Sequence, residues 1–171
     1  MEGLLSKEIK ESLENIVSHC FYCNRILDRI CSLLTVTFVM SKTESILHSE
    51  LAHIYPLLAD DITNYMADRD CTAIYGATPA GDQNYESPLE MFNKILEIQT
   101  ELEILTKKSI ALSEAQLDIT TKVFLGEFLR TLIPITKDIL TIVDKMEMYG
   151  ESKSDWMRFD HDIEDFGVFG V

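Results

Sequence analysis

No glycine stands between Gly3 and Gly76. A chain built from tight strand turns needs a residue tolerant of left-handed backbone at each turn, and glycine is the usual one. The first half of this chain therefore fits long, uninterrupted helices and fits badly with a series of tight strand turns. Helix-start signals agree. Ser41-Lys42-Thr43-Glu44 and Ser87-Pro88-Leu89-Glu90 read as capping boxes, each a serine that can accept from an early helical N–H with an acid in the first turn. Pro88 occupies the one helical position where a missing N–H costs nothing. Ser6-Lys7-Glu8 is a shorter version of the same signal.

Apolar spacing predicts which faces turn inward. Leu13, Ile16, Cys20, Cys23, Leu27, Ile30 and Leu34 recur every three or four residues, and Leu47, Leu51, Tyr55, Leu58, Ile62 and Tyr65 do the same in a second helix. A third helix is expected from Pro88 to about Leu112 and a fourth from about Asp118 to Tyr149, stopped by Gly150. Residues 70–86 form a polar link bearing glycine and proline, and seventeen residues reach at most about 56–60 Å, the length of a bundle. The other links are short. Two antiparallel hairpins joined by one long crossover is the predicted all-α arrangement, in a single domain spanning 1–171 with the bundle at about 5–149 and an acidic segment at 150–171.

Composition narrows the partners. Fifteen Lys+Arg against 29 Asp+Glu give a net charge of −14, with no basic block, so nucleic acid and anionic membranes are not expected. No run approaches the ~20 apolar residues of a membrane span, and the acid-bearing amphipathic start does not read as a signal peptide. Cys20, Cys23, Cys31 and Cys71 lack a disulfide-framework spacing, so reduced thiols in a cytoplasmic protein are expected.

Laid out this way, the chain resembles the bacterial non-haem ferritins. Ala59, Ile62, Tyr65 and Arg69, then Tyr85-Glu86-Ser87-Pro88-Leu89, Leu96-Glu97, Asp118, Phe124-Leu125, Phe128 and Asp144-Lys145-Met146-Glu147-Met148-Tyr149-Gly150 follow the family pattern without a gap from Leu58 to Gly150. Asp160 resembles the start of that family's short fifth helix. The resemblance implies a ferritin-like bundle, and in the family a pair of irons held by carboxylates and an imidazole. At the implied ligand positions this sequence has Cys20 (or Tyr22 in a shifted register), Tyr55, Leu58, Gln99, Leu132 and Ile135. No Asp or Glu lies between Glu14 and Asp28, so either register loses the first-helix carboxylate. The resemblance thus leads to an expected loss of the diiron ferroxidase centre, no diiron cofactor and no enzyme activity.

Other motifs have a metal reading and a plainer one. Glu50-Leu-Ala-His53 spells E-x-x-H, but five residues before the implied place, which turns a regular helix by about 140° net. A surface pair is the expectation. Cys20-x-x-Cys23 with His19 and His48 could form a thiolate–imidazole site, or the cysteines could pack as small hydrophobes. Gln99, if inward, needs a partner, with Thr131, Tyr55 and His48 as candidates. Pro56 and Pro134 fall inside predicted helices, where each removes a backbone hydrogen bond. Asp160, His161 and Asp162 belong to an acidic tail that either faces solvent or gathers iron weakly. Three functions stay open: a non-catalytic ferritin subunit assembling with itself or with a catalytic subunit, a bundle repurposed for interaction without iron, and an enzyme using a new Cys/His site. A two-fold dimer across Ile74 and Tyr75 is expected, with a complete shell as its extension.

Overall fold

The computed structural model describes residues 3–171; Met1 and Glu2, which fall within the expected domain, lie outside the described residues. Helix α1 covers Lys7–Val36, capped by Ser6, whose side chain accepts from the Ile9 N–H. Helix α2 covers Ser41–Ile46, a π-helical stretch follows at Leu47–Ala52, and α3 covers Ile54–Asp68. Helix α4 is Pro88–Ala115 behind its Ser87 cap, and α5 is Ile119–Tyr149 behind its Asp118 cap. Gly150 ends α5 at φ 112°, a backbone shape that a side chain would strain. Helix α6, Lys153–Asp162, opens with a complete Ser152–Asp155 capping box, and a 3₁₀ turn, Ile163–Phe166, closes the segment.

Helix α1 packs on α3 and α4, and α4 packs on α5. The α3–α5 seam is joined by stacked rings of Tyr65 and Phe124, 4.0 Å apart, and by a 2.7 Å hydrogen bond between the Tyr65 and Thr121 hydroxyls. Every member of the two predicted inward stripes is buried. The crossover climbs the outside of α1. The Ile74 N–H donates to Glu14, Arg25 donates to the Thr78 and Pro79 carbonyls, and Arg29 donates to the Gln83 carbonyl. From Glu14 to Arg29 α1 rises roughly 22 Å, so the link returns the chain to the end of the bundle where α4 begins. The helices consequently run up, down, down, up, the ferritin-like arrangement with one crossover.

The second predicted helix is not continuous. Pro56 has no N–H to give the Ala52 carbonyl, and the Asn24 side-chain amide of α1 takes that carbonyl instead at 3.0 Å. Pro56 therefore sits in the first turn of α3, just past the π stretch, rather than mid-helix. The expected Ser41 capping box also fails to form. Met40 holds the cap position without a side-chain bond, and the α2 N–H groups of Thr43 and Lys42 donate to Asp160 of α6, at 2.7 and 3.5 Å. That contact, with Trp156 edge-on to Phe38 and Phe159 against Phe92, pins α6 across one end of the bundle. Beyond it, Val168 is buried and the Phe169 N–H donates to Asp138 of α5.

Candidate functional site

Midway along the bundle, side chains from α1, α3, α4 and α5 converge. Cys20, Tyr55, Gln99 and Leu132 are fully enclosed, and Leu58 is nearly so. The Tyr55 hydroxyl donates to Gln99 Oε1 at 2.7 Å, diagonally from α3 to α4. The Gln99 amide donates to the Leu132 carbonyl at 3.4 Å and to Thr136 Oγ1 at 3.2 Å on α5. The Thr136 hydroxyl donates onward to Glu103 Oε1, whose other oxygen lies 3.6 Å from the exposed Lys107 ammonium. A polar chain thus runs from the buried phenol to the solvent edge of the α4–α5 pair.

The side-chain partners of Gln99 are Tyr55 and Thr136, with the Leu132 carbonyl beside them. Thr131 is exposed and donates to the Phe128 carbonyl within its own helix. His48 faces solvent, not the interior, because the π stretch shifts the phase of the helix. Sequence reasoning missed Thr136 and Asn24. A signal for Asn24 existed, since Pro56 obliges something else to satisfy Ala52.

On α1, the His19 ring nitrogen Nε2 lies 2.7 Å from the Ile98 carbonyl, which can only accept, so Nε2 carries a proton. The Cys23 thiol shares that carbonyl at 3.8 Å. Burial pushes the Cys20 thiol up to about 12 and raises Cys23 and Tyr55 well above their ordinary values. With His48 outside, no cysteine–imidazole cluster of the four named residues forms. Tyr22 stays half-buried beside the His19 ring, and Ile135 is half-buried at the α3–α5 seam.

An iron pair needs anionic oxygen ligands to balance its charge. The side chains meeting here are two thiols, a phenol, an amide and aliphatic groups, and burial holds the thiols and phenol in their neutral forms. This donor set does not fit two irons. Among the described residues, no group of three or more His, Cys, Asp or Glu is placed to hold a metal ion. The outlying candidates lie away from this centre. Glu50 and His53 line a shallow surface cleft with Pro134, Ile135 and Asp138. Asp160 caps α2, and Asp162 accepts from the Tyr149 hydroxyl at 2.7 Å while meeting His161 Nδ1 at 2.8 Å.

The up-down-down-up bundle with its single crossover defines a helical protein of the ferritin-like class. The chain belongs to the ferritin family, with residues 56–149 matching the ferritin-like domain. Its backbone is similar to that of an open-pore ferritin from the archaeon Archaeoglobus fulgidus, at a TM-score of 0.86 and 16% identity, covering 93% of this chain and 97% of that one. A humanized archaeal ferritin aligns at a TM-score of 0.85 and 16% identity over 93% and 95% of the two chains. An engineered closed form of the A. fulgidus ferritin gives 0.85 and 15% over 93% and 96%. No curated protein matches the sequence. At these identities the structural likeness concerns the fold. Among the described residues, no helix is long and apolar enough to cross a membrane.

Proposed function

We propose that this chain is a ferritin-like subunit without a diiron ferroxidase centre, acting as a cytoplasmic scaffold or shell component and not as an enzyme. The observation that carries this reading is the Tyr55–Gln99–Thr136 chain, which fills the middle of the bundle with neutral, mutually satisfied groups. A hydrogen-bonded amide there is a stable substitute for a charged metal cluster, whereas a vacated carboxylate cage would leave buried polar atoms without partners. Iron is held at most weakly, on surface acids of a chain with net charge −14. The subunit associates with copies of itself, alone or beside a catalytic subunit, and a two-fold contact through Ile74 and Tyr75 begins that assembly. Both side chains are well exposed, at 63% and 60%, on a crossover tied down by Glu14 and Arg25.

Adding ferrous iron aerobically to purified protein, with particle mass read by light scattering, tests both halves. The expected result is oxidation at the buffer rate by particles larger than one chain. A saturable, protein-dependent rate overturns the first half, and a monomer of 19.5 kDa overturns the second. A second reading, a bundle repurposed for interaction without iron, draws on the exposed Val123, Ile133 and Leu140 of α5. It predicts small particles that carry no iron when isolated.

A further inference from the structure

The π-helical stretch Leu47–Ala52 brings together two side chains five residues apart in sequence. In a regular α-helix such residues diverge by about 140°, whereas the i→i+5 pattern of a π stretch makes them neighbours. The rings of His48 and His53 meet edge to face, with centroids 4.7 Å apart and planes inclined at 62°. Both side chains are exposed, and no hydrogen bond among the described residues engages either ring. Four imidazole nitrogens therefore stand at one spot on the surface, two of them free to act as acceptors when the rings are neutral. The terminal torsion of histidine is broad, so each ring can turn a nitrogen toward a shared ion without rebuilding the backbone.

We propose that His48 and His53 form a surface chelate for a borderline divalent transition ion: copper(II), nickel(II) or zinc(II). One nitrogen of each ring binds, and water completes the shell. Imidazole suits these ions, and the Irving–Williams order places them above ferrous iron at a nitrogen site. This chelate stands independently of the proposal for the bundle centre, since it uses none of the same residues. An ion bridging both ends of the π stretch would stabilise the folded state, because the unfolded chain does not hold the two rings together.

The test is calorimetric titration of chelator-treated full-length protein with nickel chloride, repeated on His48→Gln, His53→Gln, Glu50→Gln and the double histidine variant. Both rings are exposed, so glutamine leaves the packing intact, and circular dichroism checks that it has. The expected result is one equivalent of nickel per chain beyond the double variant. Either single histidine substitution should weaken it by about a hundredfold, as the effective concentration of the linked ligand is lost. Glu50→Gln should leave it unchanged, and nickel should raise the melting temperature of the parent protein but not of the double histidine variant. Unchanged binding in His48→Gln overturns the proposal, as it would point to Glu50 with His53. Equal binding in all variants, or none in the parent, overturns it also.

Discussion

The Tyr55 hydroxyl reaches Gln99 across the diagonal of the bundle at 2.7 Å, and neither side chain has any surface exposed to solvent. Removing one of them therefore differs from removing both. Tyr55→Phe leaves Gln99 Oε1 enclosed without its donor, which costs about 1–3 kcal/mol. Tyr55→Phe with Gln99→Leu removes both polar groups and should recover most of that loss. Chemical denaturation of the two single variants and the double variant gives the coupling directly. Strictly additive losses would show that the pair is not a unit.

Leu132 is fully buried beside this network. Leu132→Glu puts a carboxyl group where nothing balances its charge, so its folded pKa rises above the unfolded value. Such a group is tolerated best while neutral, and its destabilisation grows as pH rises from the unfolded pKa of about 4.3 toward the folded one. The variant should melt nearer to the parent at pH 4.5 than at pH 8. A gap independent of pH would mean the position is hydrated.

Asn24 and Pro56 form a second coupled pair, joined through the Ala52 carbonyl. Asn24→Ala strips that carbonyl of its donor and should destabilise the protein by about 1–3 kcal/mol. Adding Pro56→Ala restores a backbone N–H that can bond Ala52 as a normal α-helical turn, so the double variant should be more stable than Asn24→Ala alone. Hydrogen exchange at the backbone amide that this second substitution introduces provides the check. Rapid exchange there would show that the π stretch persists without the proline.

Asp160 belongs to the acidic tail, yet it supplies the cap that α2 lacks locally. Asp160→Ala should cost about 0.5–2 kcal/mol, the usual loss of an N-cap. Faster amide exchange should follow at Thr43, on α2, and in α6. If only α6 loosens, the contact does not order α2.

The thiols give a pH dependence with a definite sign. Unfolded cysteine ionises near 9.0, while Cys20 and Cys31 in the fold are pushed up to about 12, first of all by burial. Between these values the unfolded chain binds fewer protons than the folded one, so stability is full below pH 9 and declines toward pH 12. Native protein at pH 8 should leave Cys20 and Cys23 unmodified by iodoacetamide, and guanidinium should expose them. Mass spectrometry of the alkylated peptides reads both states, and rapid native labelling would contradict an enclosed centre.

Periodicity within single helices made much of this molecule legible. The stripes from Leu13 to Leu34 and from Leu47 to Tyr65 are buried as their spacing requires, and Ser6, Ser87 and Asp118 start helices through their own side chains. The length of the 70–86 link and its place between helix pairs were enough to specify one crossover. The absence of acids from the middle of α1 and the neutrality of Gln99 are facts of the sequence, and they carry directly to the chemistry of the centre. What the sequence by itself determined is thus where helices start, stop and face, which depends on neighbours within about one helical turn, and the crossover, which depends on how far one long link can reach.

Tertiary structure decided the rest. Gln99 pairs with Thr136 and not Thr131, because that choice depends on how far α5 is shifted along α4, which no repeat within either helix encodes. His48 turned outward because a π stretch changed the phase of the helix, and Asn24, far away in sequence, satisfies the carbonyl that Pro56 leaves open. Asp160 reaches α2 only once α6 lies across the end of the bundle. In each of these pairings the partner comes from a different element, so its position is set by the relative placement of packed helices and not by local backbone preference.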